Sequence, residues 1–138
     1  MKTVLTTAAA FLAFAAPAFA EGDAAAGENV FKKCKSCHMV VAPDGTEIQK
    51  GGKTGPNLYG VVGRVAGSVE GFKYDKGLQD AFAAGFVWTE EALAEYVVDP
   101  KAYNDHHGWS PKSKMTFKLK EGGADVAAYL ASVAPASQ

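Results

Sequence analysis

The stretch Cys34-Lys35-Ser36-Cys37-His38 decides how the rest of this chain is read. It holds both cysteines of the 138 residues, with a histidine directly after the second. Two thiols about one helical turn apart can each bond to one of the two vinyl groups on the same edge of a porphyrin. The next residue is then directed under the ring, where an imidazole nitrogen can bind the iron. The run therefore reads as the attachment site of one c-type haem, with Cys34 and Cys37 as covalent anchors and His38 as an axial ligand.

Other chemistries of the same residues are weaker. A structural zinc site needs four protein ligands, and beyond His38 the chain offers only the adjacent pair His106 and His107. A thioredoxin-like redox pair calls for a strand leading into the motif and a βαβ pattern around it, whereas the flanks here are helical and polar. A disulfide between Cys34 and Cys37 would close too short a loop to stabilise much.

Residues 1–20 are read as a secretory signal peptide. Lys2 gives a positive start, Val4 to Ala16 is an apolar, alanine-rich run, and Ala18-Phe19-Ala20 is a small-x-small cleavage site before Glu21. The run is too short for a membrane anchor, which needs about 20 predominantly apolar residues. The expectation is an exported protein with no membrane span once processed, and a single domain over residues 21–138. Export suits the haem motif, because covalent haem attachment in bacteria belongs to the far side of the inner membrane. Cleavage removes Lys2 and no acid, so 13 basic and 15 acidic side chains remain, a net of −2. That balance excludes a globally basic nucleic-acid binder. So short a chain makes a modest core by itself, and a haem adds a large apolar disc to bury.

Along the chain, Asp23 is placed to cap a first helix in which Gly27 and Phe31 share one face. A glycine inside a helix costs up to about 1 kcal/mol, and close approach of another helix would compensate. Val40 to Lys53 reads as a turn-rich loop. Pro56, in Thr54-Gly55-Pro56-Asn57-Leu58, leaves its carbonyl as a free acceptor, and a ligating histidine generally donates its second nitrogen to such a group. Arg64, the chain's single arginine, is either a surface charge or a partner for a haem propionate. Tyr74 to Ala84 reads as a short helix. Thr89 caps another, with Glu90 and Glu91 in its first turn, an apolar stripe at Leu93, Tyr96 and Val97, and a stop at Pro100. Tyr96 on that stripe needs a partner for its hydroxyl. Residues 101 to 120 read as a long loop, and a last helix begins near Gly123. No alternating strand pattern is evident.

What binds the opposite face of the iron decides what such a protein does. Met39 adjoins His38 and cannot reach that face, and Met1 leaves with the signal peptide. Met115 is far enough along the chain to wrap round the disc; His106 and His107 are its rivals. A thioether favours ferrous iron and raises the reduction potential.

The chain resembles the class I c-type cytochromes, in particular the cytochrome c2 group of purple photosynthetic bacteria. The resemblance spans nearly all of residues 21–138. It rests on Gly27, Phe31, the Cys34–His38 run, Lys53 to Leu58, Gly63-Arg64, Gly71 to Tyr74, Trp88, Tyr96, Pro100, Lys114-Met115 and Tyr129. It implies an all-α, single-domain cytochrome c fold wrapped around one covalently attached haem c. By the same resemblance, Gly27 and Phe31 pack on the last helix at Tyr129, and Pro56 accepts a hydrogen bond from His38. Tyr74, Trp88 and Arg64 hold the propionates, and Tyr96 donates to the Met115 sulfur. Asn104 to Ser113 departs from the pattern of mitochondrial relatives by its length.

The functional expectation is a periplasmic one-electron carrier, a monomer and not an enzyme. It takes electrons from a bc1-type complex and delivers them to a photosynthetic reaction centre or a terminal oxidase. Lysines 32, 33 and 35 lie by the motif, and lysines 101, 112, 114, 118 and 120 follow with Asp99 and Asp105 set against them, a basic face suited to transient docking on acidic partners. The alternative is a haem enzyme or gas-binding cytochrome with a displaceable sixth ligand.

Overall fold

The computed structural model describes residues 21–135; the leader expected over residues 1–20 lies outside them. In chain order the elements are α1 (Ala24–Phe31), β1 (Val40–Val41), β2 (Glu47–Gln49), α2 (Lys76–Ala83), α3 (Glu90–Tyr96), α4 (Pro100–His106) and α5 (Gly123–Ser132). The all-α expectation holds, and the sole sheet among the described residues is the β1–β2 hairpin.

The first and last helices meet at Gly27. Asp23 starts α1 by accepting from the backbone N–H groups of Ala25 (2.9 Å) and Ala26 (3.2 Å), donors that the first turn leaves without helical partners. A Cβ at Gly27 would lie 1.9 Å from the Asp125 carbonyl oxygen and 2.7 Å from the Tyr129 Cβ, so the crossing requires a residue without one. One turn on, the fully buried Phe31 sits against Tyr129 with ring centroids 5.8 Å apart. Asp125 Oδ1 accepts from Asp23 N–H at 2.8 Å, closing the same contact from the other end.

The third helix packs on α5 beside this crossing. Thr89 Oγ1 accepts from Ala92 N–H (3.0 Å), Glu90 and Glu91 occupy the positive end of the dipole, and Leu93 and Tyr96 turn inward.

Two expectations are corrected. Pro100 does not stop a helix; it is the first residue of α4, where a missing N–H costs nothing, and Asp99 Oδ1 caps it at Ala102 N–H (3.1 Å). The stretch 101–120 is therefore helical as far as His106 and irregular after it. Residues 40–53 are not all loop, since Val40 and Val41 pair with Gln49 and Glu47 in an antiparallel hairpin. Strands of two and three residues are too short to show a period of two.

Candidate cofactor site

A cavity of about 260 Å³ opens between these elements, and its lining is overwhelmingly apolar. Cys34, Cys37, His38, Pro56, Arg64, Tyr74, Trp88, Tyr96 and Met115 all line it. All nine residues expected at the site thus converge on one space from stretches up to 81 positions apart (34 to 115).

The Cys34–His38 run leaves α1 in a tight turn, with Cys34 N–H on the Phe31 carbonyl (2.8 Å) and His38 N–H on the Cys34 carbonyl (2.9 Å). A second segment lies flush against it. Gly52 N–H donates to the Lys35 carbonyl (2.9 Å) and Gly55 N–H to the Cys37 carbonyl (2.8 Å). A Cβ at Gly55 would come within 2.4 Å of the His38 ring, so the glycine makes the slot in which the imidazole lies. His38 Nδ1–H donates to the Pro56 carbonyl at 2.8 Å. That bond sets the tautomer and leaves Nε2 as the basic nitrogen for the cavity. Burial holds the His38 pKa below its ordinary value, opposed by the Pro56 bond and aided by the Arg64 charge, which keeps the ring neutral and its lone pair free.

The two thiols differ. Burial, helped by the neighbouring Cys37, pushes Cys34 up to about 11. Cys37 is exposed, and hydrogen bonds from Thr54 and Ser36 hold it below the usual thiol range.

Arg64 is part-buried. Its Nη1 donates to the carbonyls of Asn57 (3.1 Å) and Tyr59 (3.2 Å), and burial lowers its pKa. The ion pairs among the described residues are Lys76–Asp80 and Lys118–Asp99, so the guanidinium faces an apolar cavity without a carboxylate partner. Tyr74 accepts from Val69 N–H through its hydroxyl oxygen (3.1 Å), which leaves its proton to donate elsewhere. Trp88 packs edge-on against Phe86 and Tyr96, with centroids 5.4 and 5.0 Å apart.

Tyr96 lies on the cavity lining with Met115. Burial pushes its pKa up to about 12, opposed by the nearby Ser113 hydroxyl. Ser113 Oγ donates to the Met115 carbonyl (3.2 Å). The apolar walls from Val61, Leu78, Val126 and Leu130 carried no site signal in the sequence, since an aliphatic side chain gains such a role only from what it faces.

His106 and His107 do not line the cavity. His107 is stacked between Tyr103 and Trp109, with centroids 4.1 and 4.8 Å apart, and its Nδ1–H donates to the Tyr103 carbonyl at 2.8 Å. Among the described residues no three His, Cys, Asp or Glu side chains gather as a metal-ion site, so the donors of a closed zinc centre are not assembled. Two thiols, an imidazole nitrogen and a thioether around one apolar space, with an unpaired guanidinium at its wall, do suit a haem: anchors, two axial donors and a partner for its carboxylates.

No family model matches the chain. Curated relatives do. It is 60% identical to cytochrome c2 of Rhodobacter capsulatus over 136 residues, 96% of this chain and 98% of that one. It is 54% identical to cytochrome c-550 of Paracoccus versutus over 140 residues, 98% and 91% of the two chains. The solved structure of Rhodobacter capsulatus cytochrome c2 superposes with a TM-score of 0.79 at 59% identity, covering 81% of this chain and 98% of that one. Ferric cytochrome c-550 of Paracoccus versutus gives 0.78, covering 83% and 100%. With sequence and backbone agreeing over nearly the full length of these relatives, the chain belongs to the cytochrome c2 family of electron-carrying c-type cytochromes.

Proposed function

We propose that the protein carries single electrons in the periplasm, from a bc1-type complex to a photosynthetic reaction centre or a terminal oxidase. Its haem c would be bound through Cys34 and Cys37, with His38 and Met115 as axial ligands. The observation that carries this reading is the convergence of those four side chains on one apolar cavity. The haem would supply the one-electron ferric–ferrous couple, and no substrate bond is made or broken.

The chain's own residues do the rest. Pro56 fixes the His38 ring through the 2.8 Å bond, so the imidazole needs no reorganisation when the charge on the iron changes. A thioether at Met115 favours the reduced state. Apolar walls exclude water and raise the cost of the extra positive charge in the oxidised state. Arg64 and Tyr74 are the cationic and hydroxyl partners for propionates. Lys33 and Lys114 lie on the cavity lining and face acidic partners in a transient, electrostatically steered encounter. Among the described residues no helix is long and apolar enough to cross a membrane, in keeping with a diffusing shuttle.

Absorption spectra of the purified holoprotein and of Met115→Ala test the ligand set. The parent should be low-spin with the methionine–iron charge-transfer band when oxidised. The variant should lose that band, lower the potential and admit added ligands. A variant that keeps both the band and the potential excludes Met115 as the ligand, and a high-spin parent favours the ligand-binding alternative.

A further inference from the structure

The segment that bears Met115 is not held by its own secondary structure. Residues 110–114 are irregular, yet every second one is fixed to the start of α2. Ser110 N–H donates to Asp80 Oδ2 at 2.9 Å, Gly77 N–H donates to the Lys112 carbonyl at 3.3 Å, and Lys114 N–H donates to Asp75 Oδ2 at 2.9 Å. In an extended chain alternate residues present their backbone groups to the same side, so the N-cap and first turn and a half of α2 can grip all three. Asp75 does two things at once: its Oδ1 caps α2 at Leu78 N–H (3.0 Å) while its Oδ2 holds the residue next to Met115. The Lys114 ammonium bonds the Lys73 carbonyl (2.8 Å), tying the same two stretches a second time.

We infer that Asp75 is a positioning residue for Met115: its second carboxylate oxygen latches the methionine segment to α2 and so sets how long the thioether stays on the iron. This rests on the reading of Met115 as the axial ligand. Asp75 sits on the cavity lining with Lys114 and Met115, so the latch lies beside the ligand it controls. A charged acceptor makes one of the stronger hydrogen bonds in a protein, and its loss shifts the balance between closed and open segment about tenfold or more. The fold itself is set elsewhere, at the α1–α5 crossing, and need not change.

The test separates latch from helix cap. Asp75→Ser keeps one oxygen able to cap α2 at Leu78 and has none for Lys114. Asp75→Asn keeps the shape of aspartate but turns an amide N–H₂ toward one of the two donors. In the ferric holoprotein, titrated with imidazole and followed by loss of the charge-transfer band, Asp75→Ser should bind imidazole about tenfold more tightly than the parent, and Asp75→Asn more tightly by a smaller factor, since its amide can face Leu78 instead. Amide exchange at Lys114 should speed up by a similar factor while Phe31 and Leu130 stay as protected as before. Lys114 exchange within twofold of the parent overturns the latch, whichever atom binds the iron. Faster exchange with unchanged imidazole affinity overturns the link from latch to ligand. A parent without the charge-transfer band overturns the ligand reading instead, so the two failures are distinct.

Discussion

Gly27→Ala should damage this protein more than the removal of most single hydrogen bonds. The added Cβ would lie 1.9 Å from the Asp125 carbonyl oxygen, against a floor of 3.0 Å for real contacts of this kind. The obstacle is backbone, which no rotamer change can move, so α1 and α5 must part by about 1 Å. Overpacking of this sort costs about 1–3 kcal/mol. The parting also loosens the Phe31–Tyr129 pair, 5.8 Å between centroids, which is worth about 0.5–1.5 kcal/mol beyond its buried area. Alanine's better helix propensity returns up to about 1 kcal/mol. The net is a loss of about 2 kcal/mol, or roughly 8 °C in the thermal midpoint for a domain of this size. Gly45→Ala is the control: it meets nothing within 4 Å and suffers only from φ = +88°, a backbone strain of about 1–2 kcal/mol. Guanidinium and thermal unfolding followed by far-ultraviolet circular dichroism read both variants. If Gly27→Ala unfolds at or above the parental midpoint, the close approach is not what selects glycine there.

Tyr96 supplies a pH signature. Its pKa is about 12 in the fold against about 10 in an unfolded chain, so the unfolded state binds fewer protons between those values and stability falls as pH rises. The contribution is complete below pH 10 and lost through pH 12, up to about 2–3 kcal/mol by linkage; Tyr96→Phe should flatten the decline in denaturation midpoints measured from pH 8 to 12, and an unaltered slope would remove Tyr96 as its source. Electron transfer to an acidic partner should slow about tenfold between low and physiological salt as the screening length shrinks. Lys33→Glu, at the cavity lining, should reduce the stopped-flow rate more than Lys118→Glu, whose ammonium is already paired with Asp99 at 2.6 Å; equal effects would argue against a focused docking face.

What was legible in the sequence was chemistry confined to a few consecutive residues. Cys34, Cys37 and His38 need no partner elsewhere to be read. Asp23 and Thr89 announce helix starts because a cap acts within three residues, and Gly27 announces a neighbour because a helix gains nothing from a glycine by itself. The failures have the opposite character. Pro100 is ambiguous in sequence because proline is as welcome at the first position of a helix as it is unwelcome inside one, and the deciding group, the Asp99 carboxylate on Ala102 N–H, is an ordinary aspartate until the backbone turns. Asp75 is legible by the same three-residue rule only as a helix cap, through Leu78; its other oxygen acts 39 positions away at Lys114, where no local pattern points. The donors proposed for the iron are conspicuous because their chemistry is rare. The groups that hold the Met115 segment are common polar residues whose meaning lies in whom they touch, so candidate ligands of such a site can be proposed before the fold is known, whereas the hold on their segment can be read only from the fold.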